Sequence, residues 1–570
     1  MVVPYILEIE RLRPISLSIL VSLLLTYAIR QWLLPRPIPG IPYNLKSSRK
    51  LLGDAPDMLR EVSITRDSNA WLAQQVNKLQ SPLCQVFMRP FSRPWVLLAD
   101  ATEAQDILLR RPEFDRSEII TDGLGPLGAF HARMKTGPMW KAARAWLKDL
   151  MGPSFLNNIV SPVMYESSVH LMELWESKVR LASGRPFDVN NDLTHSAVDG
   201  MLSFVFERHF EHTAVGPQIE ILSHLDPSKI EVGVHGDAKF PAAPVNEFIT
   251  SLYETVDVID TVAKSIAPRA MMWWIRQFPR YKKIAAVRIR VVREQVMGAL
   301  ERLSITGETK TAIEYMLVRM KKIAEEQNCK PDYESPVFVE EIEGMFIAGT
   351  HSVSTTIAWA LIYLTRYPEI QDKLRLALHT AYADAHAEER APTIIELTNT
   401  RVPYLQAVLE EVLRLHATSV PRQAVRDTEI LGQRIPKGTH VILVANGPSF
   451  HAPSFDIEPG LRSATVKPNK WDETRDLKAF DPERWLVYKE GMSWHEAEFD
   501  ANAAPQIAFG MGPRYCWGRR LAYLEMRMVI TLVLWSFDLL SLPDALADPK
   551  AYYGIIHKPG QCCLRLKSRK

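Results

Sequence analysis

Phe509-Gly-Met-Gly512-Pro-Arg514-Tyr-Cys516-Trp-Gly518, followed by an apolar stretch with helical periodicity over 518–540, decides the reading of this chain. It sets one cysteine in a glycine-rich loop, an arginine two residues before it, and a helix start just after it. A thiolate is a strong axial ligand for iron and pushes electron density toward the metal, favouring O–O cleavage. Backbone N–H groups of a loop and of a helix N-terminus stabilise the sulfur's charge and tune its donor strength. Gly510, Gly512 and Gly518 let the backbone turn tightly and approach a flat macrocycle with no Cβ in the way. Arg514 can pair with a carboxylate on that macrocycle. The alternative is a buried structural cysteine in a turn.

The 570 residues are 47% hydrophobic and 24% charged, a globular composition with ample core, and no low-complexity linker divides the chain. A net charge of +2, with no lysine- or arginine-rich block, gives no case for nucleic-acid binding. The five cysteines (84, 329, 516, 562 and 563) are too few and too irregular for a disulfide framework or a zinc site.

Residues 14–29 carry no charge, and the apolar character resumes through Trp32, Leu33 and Leu34, long enough to span a bilayer as a helix. The preceding flank is mixed, whereas Arg30, Arg36, Lys46, Arg49 and Lys50 follow, which places the bulk of the protein in the cytosol. The stiff segment Pro35-Arg-Pro-Ile-Pro-Gly-Ile-Pro42 cannot continue a helix. The expected organisation is an anchor over 1–34, a proline-rich hinge over 35–50 and one catalytic domain over 51–570. A cleaved secretory peptide is the alternative, but no small-residue cleavage site follows Ile29. A second uncharged run, 344–364, competes as a span. Its density of Ser, Thr and His is costly in lipid and reads instead as a long helix in a soluble core.

Periodicity predicts helices near 137–150, 160–182, 246–263, 285–304, 337–366, 368–386, 403–416 and 518–540. Short β-rich runs at 83–87, 94–98, 438–444 and 562–566 predict small paired strands. With no βαβ alternation, the expectation is a mainly-α fold with minor sheets.

The pattern Phe-x-x-Gly-x-Arg-x-Cys-x-Gly over Phe509, Gly512, Arg514, Cys516 and Gly518 closely resembles the haem-ligand loop of the cytochrome P-450 family. The resemblance implies that Cys516 ligates the iron of haem b. It extends to Glu411-Val-Leu-Arg414 and Phe480-Asp-Pro-Glu-Arg484-Trp485, implying a buried triad of Glu411, Arg414 and Arg484 that holds the ligand loop. Trp140 and Arg144, four apart on one helical face, match a pair that faces a haem propionate in the family, and Arg422 lies where a further propionate arginine occurs. Within 337–366 the family carries Ala-Gly-x-acid-Thr; here Ala348-Gly-Thr-His351-Ser352 puts a histidine at the acid position and a serine at the alcohol. Serine keeps a hydroxyl to support bound O2, and histidine can relay protons near neutral pH. Alternatively, His351 is a satisfied core histidine. The stretch 455–478 is longer than usual and reads as a surface insertion.

What the resemblance implies is a microsomal, fungal-type cytochrome P-450 fold, preceded by one transmembrane helix, in the endoplasmic reticulum membrane. It would be a monooxygenase of secondary metabolism, inserting one oxygen atom of O2 into an apolar small molecule. Electrons would come from a separate NADPH-cytochrome P-450 reductase, with cytochrome b5 as a further donor. A family member catalysing rearrangement, dehydration or desaturation stays open, as does a membrane haem protein that only carries electrons. Gly123-Leu-Gly125-Pro-Leu-Gly128, with Asp149 downstream, raises a nicotinamide-dependent dehydrogenase as an outside reading, although Pro126 and Pro138 interrupt its context.

Overall fold

Pro336–Arg366 is one unbroken α-helix, the longest among the described residues, started by a proline in its first turn and ended before Pro368. A computed structural model of the chain describes residues 18, 20–89, 92–208, 210–469, 471–488 and 497–569. The uncharged run 344–364 lies inside this helix and is mostly buried, as a core helix should be. Helices Asn190–Val205, Pro279–Thr306, Pro403–Leu415 and Arg519–Ser536 pack around it. Phe346 is fully buried on it and meets the rings of Phe206 at 4.8 Å and Phe248 at 5.7 Å. These three aromatics join the central helix to the end of Asn190–Val205 and to Glu247–Ala263.

The architecture is helical with small sheets, as expected, but the strands do not merely pair. Leu83–Val86, Trp95–Leu98, His440–Leu443, Val420–Ala424 and Phe114–Arg116 form, in that spatial order, one five-stranded sheet. Trp95–Leu98 and His440–Leu443 run parallel, and the other pairs are antiparallel. Phe114–Arg116 and Val420–Ala424 were not anticipated, because three- and five-residue strands carry too little alternation to read. The predicted helix 518–540 also ends early: Arg519–Ser536 is helical, whereas Phe537–Leu540 turns into a strand against Cys563–Ser568. The apolar run continues unbroken across that change, which hides it from periodicity. Helix 368–386 breaks at Tyr382 into Pro368–Ala381 and Ala383–Ala387.

At the N-terminus, Leu20–Leu33 is an apolar helix whose Leu20, Leu23, Leu24, Leu25 and Trp32 are exposed. The rest of the expected span, 14–17 and 19, lies outside the described residues. The segment read as a hinge is strapped down at its start. The buried Gln85 side chain accepts from Ile38 N–H at 2.8 Å and donates to the Ile38 and Ile41 carbonyls at 2.8 and 2.7 Å.

The Phe346 cluster supports a prediction. Removing a fully buried aromatic side chain costs about 3–5 kcal/mol, so Phe346→Ala should lower the urea midpoint and the thermal midpoint well below wild type.

Candidate active site

The Cys516 loop is built by its own backbone. Cys516 N–H donates to the Phe509 carbonyl at 2.7 Å, Gly510 N–H to Ile507 at 2.8 Å, and Arg519 N–H to Cys516 at 3.3 Å. Gly512 has φ of 67°, and a Cβ there would sit 2.1 Å from the Leu108 carbonyl oxygen, so no other residue fits without moving a helix. Gly518 differs from expectation. Its φ is −77° and nothing lies within 4 Å of a Cβ, so its turn needs no glycine; it lines open cavity instead.

That cavity, about 330 Å³, lies between the Cys516 loop, the central helix and strand Val420–Ala424. The sulfur is open to it while sitting deep in the protein. Burial pushes the free thiol up, against the Gly518 N–H and the charges of Arg116, Arg144 and Arg519. Phe509, Ala348, Gly349 and Ser352 share the wall, and Phe130, Phe204, Met201 and Met345 make it largely apolar.

One side of the cavity is strongly cationic. Arg116, Arg422 and Arg514 all line it. Arg116 and Arg422 are direct cross-strand partners, an arrangement in which like charges repel. Burial together with the neighbouring arginines lowers Arg422 to about 9 and Arg514 to about 10. Arg116 Nε and Arg514 Nε and Nη1 are buried with no partner. Asp115, the acid acting on all three, is already taken by the Thr136 N–H at 2.8 Å and hydroxyl at 2.7 Å. Such a wall fits a bound group that brings its own carboxylates, as haem propionates would. Arg116 escaped the sequence reading because nothing in a three-residue strand flags it.

Trp140 and Arg144 lie one layer back. The Trp140 ring meets two arginines, with the Arg514 guanidinium 4.5 Å from its centroid and that of Arg144 at 5.9 Å. They stiffen Arg514 rather than lining the cavity.

Ser352 faces the cavity and donates its proton one turn back to the Ala348 carbonyl at 2.7 Å, leaving lone pairs outward. His351 does not reach this wall. Its ring meets Tyr253 edge-on at 5.8 Å, its Nε2 is buried without a partner, and burial, aided by Lys558, lowers it to about 4. It is therefore neutral at physiological pH, which corrects the expectation of a histidine titrating near neutrality.

Behind the loop, Glu411 accepts from Arg414 Nε at 2.8 Å and Nη2 at 2.7 Å, from Arg484 Nε at 3.0 Å and from Trp485 Nε1 at 2.9 Å. Arg484 gives Glu411 one N–H rather than a fork; its Nη2 goes to the Asp476 carbonyl at 2.8 Å. The adjacent Glu410, unforeseen, receives Gln506 Nε2 at 2.9 Å and the Tyr523 hydroxyl. Gln506 in turn accepts from Ala508 N–H at 2.9 Å. Consecutive glutamates on Pro403–Leu415 thus hold both the 476–485 segment and the cysteine loop.

The glycine-rich segment is not a dinucleotide loop. Gly128 has φ of 55° and packs on the Glu340 carboxylate, which takes Ala129 N–H at 2.6 Å. Glu341 takes His131 N–H at 2.9 Å, and Asp149 pairs with Arg319. Donors that would cradle a phosphate already hold carboxylates.

Two outcomes follow from this geometry. Gly512→Ala should lose most haem, read as the haem-to-protein absorbance ratio, since it adds strain and a backbone clash. For Glu411, burial raises its pKa but the bonds and charges of Arg414, Arg484 and Trp485 outweigh it, so the folded value is depressed. Its contribution is full above the ordinary Glu value and fades as pH falls through the folded one. Glu411→Gln should therefore cost about 3–5 kcal/mol near neutrality, with the gap to wild type narrowing only on the acid side in urea titrations.

Comparisons with known proteins agree with this site. The family model "Cytochrome P450" matches residues 62–449 and 470–562. The internal unmatched stretch, 450–469, overlaps the expected insertion at 455–478, which docks on helix Ala101–Arg110 and its N-cap through Arg462–Asp100 at 2.9 Å and Thr465–Asp106 at 2.7 Å. A cytochrome P450 monooxygenase, xilC, of Penicillium crustosum is 39% identical over 95% of this chain and 94% of its own length. The cytochrome P450 monooxygenase TRI13 of Fusarium sporotrichioides is 32% identical over 95% and 97%. The cytochrome P450DA haem domain superposes with a TM-score of 0.67 at 18% identity, covering 94% of this chain and 99% of that one, a likeness of fold. A family model spanning most of the chain and relatives aligned end to end place it in the cytochrome P450 family, as a haem-thiolate monooxygenase.

Proposed function

We propose that this chain inserts one oxygen atom of O2 into an apolar small molecule in fungal secondary-metabolite biosynthesis. The observation that carries this reading is a single cavity bordered by the Cys516 thiol, the Ser352 hydroxyl, and Arg116 and Arg514, whose Nε atoms and Arg514 Nη1 are buried without a partner. Haem, when bound, supplies O2 activation and oxygen transfer. The protein's own residues hold, orient and dry that chemistry.

Cys516 would hold the haem iron through its thiolate, and the Gly518 N–H would moderate that charge. Arg116, Arg422 and Arg514 pair with the propionates, with Trp140 and Arg144 bracing Arg514. Ser352 accepts and passes a proton at its Oγ, whose lone pairs face the cavity. Neutral His351 stays behind it. Phe130, Phe204, Met201 and Val353 exclude water and give an apolar substrate its surface. Electrons come from a separate NADPH-dependent reductase, a reading that membership of the family supports. The fungal relatives, one of them named for a gene cluster, support the biosynthetic setting.

We assign the protein to the endoplasmic reticulum membrane, with its catalytic domain in the cytosol. Exposed Leu20–Leu33 supports an anchor, and exposed Trp273, Trp274 and Phe278 add an apolar surface that suits a bilayer interface.

Co-expression with a membrane reductase tests the reading. The reduced carbon-monoxide spectrum should show a thiolate-type band that Cys516→His loses; a band that survives this change would sink it. Ser352→Ala should keep the band but release more hydrogen peroxide per electron consumed. Alkaline washing should leave the full chain with membranes and strip a variant lacking residues 1–34.

A further inference from the structure

A second lobe of about 160 Å³ opens on the same thiol, bordered by Ser352, Thr355, Trp359, Thr418 and His557. Its polar wall is a three-residue chain. Tyr363 Oη lies 3.0 Å from His416 Nε2, and His416 Nδ1 lies 2.8 Å from His557 Nδ1. The chain is held rigidly. Trp359 stacks on His416 with ring centroids 3.7 Å apart and 12° between planes, and its indole N–H bonds the His557 carbonyl at 2.9 Å. Tyr363 stacks on Phe480 at 4.3 Å.

Hydrogen-bond accounting gives this chain a direction. Among the described residues, Tyr363 Oη bonds only His416, so its proton is satisfied only by donating to His416 Nε2. His416, kept neutral by complete burial, must then carry its proton on Nδ1 and donate it to His557 Nδ1. A neutral His557 that accepts at Nδ1 carries its own proton on Nε2. Among the described residues that nitrogen has no hydrogen-bond partner, and it lies on the side of the ring away from His416. By contrast, Ser352 and Thr356 donate their hydroxyl protons to the Ala348 and Ser352 carbonyls, at 2.7 and 2.9 Å. Ser352 and Thr356 therefore turn lone pairs rather than protons outward, and His557, on the border of the lobe, holds one N–H in a fixed place.

We propose that His557, oriented by His416 and Tyr363, is a specificity-determining donor that selects apolar substrates bearing a carbonyl oxygen. A carbonyl oxygen accepts that N–H directly and brings no hydrogen of its own to be paired. A bare hydrocarbon leaves the Nε2–H unpaired and desolvated. The inference rests on the monooxygenase reading and gives it a substrate class.

The test uses the full chain in membranes, with 2-adamantanone and adamantane as probes of one skeleton and haem spin-state titration as the readout. Wild type should bind the ketone about five- to tenfold more tightly. His557→Phe should reduce that ratio to near unity, and His557→Gln, which restores an N–H, should recover it. Tyr363→Phe, which touches no substrate, should also lower the ratio by freeing the tautomer of His416. Equal affinity of wild type for the two probes, including no measurable binding of either, overturns the proposal. So does an unchanged ratio in His557→Phe. Each variant is scored only beside its reduced carbon-monoxide band. Loss of that band in wild type would count against the monooxygenase reading instead.

Discussion

A single buried carboxylate organises the reactive side of this protein. Glu411 is removed from water, yet four side-chain donors from Arg414, Arg484 and Trp485 converge on its two oxygens. An ion taken out of water is tolerated only when its lone pairs are filled, and here each donor belongs to a segment that must be fixed. Arg414 extends to the Phe450 carbonyl, Arg484 to the Asp476 carbonyl, and Trp485 is itself fully buried. One residue earlier on the same helix, Glu410 reaches through Gln506 to the loop that carries Cys516. The position of the thiol is thus set by a helix that contributes nothing to the cavity's chemistry.

The opposite imbalance exists at the cavity. Arg116 and Arg422 face each other across two strands with no buried acid free to neutralise them, and Arg514 adds a third charge. A fold that satisfies Glu411 so completely does not leave Arg116 and Arg514 with buried, unpaired nitrogens by accident of packing. The deficit suits a ligand with two carboxylates, whose binding would relieve the repulsion among these arginines and so add to stability. Trp140 is part of the same arrangement, since a ring that meets two arginines holds Arg514 in place without cancelling its charge.

The sequence made legible whatever is local. Cys516, its glycines, Glu411 with Arg414, and the Arg484-Trp485 pair announce themselves by residue type and spacing within a few positions. The long helices did so as well, because burial of one face repeats every turn. What stayed hidden depends on distant strands meeting. Arg116 gains its meaning only by lying beside Arg422, and Tyr363, His416 and His557 come from three separate elements. Phe537–Leu540 was misread because apolar residues suit the end of a core helix and the start of a buried strand equally well. The propionate role read for Trp140 and Arg144 was displaced by one layer: spacing shows which side chains share a face, but not which of them fronts a cavity.

The substitution of His351 and Ser352 into the central helix has a coherent physical reading. With an acid at position 351, a charge would have to be buried beside Tyr253, with Lys558 as the cation acting on it. A histidine avoids that cost by being neutral, and so leaves the helix without a fixed charge behind the cavity. The hydroxyl at 352 points its proton into the helix, as Thr356 does one turn later. Ser352 and Thr356 therefore face the cavities as acceptors, and protons that reach them must arrive from solvent or from another donor. Placing the mobile proton off the helix, and the fixed N–H on His557 across the lobe, separates the group that orients a substrate from the groups that handle oxygen. This division lets the same loop and helix serve different skeletons while the far wall decides which one is held.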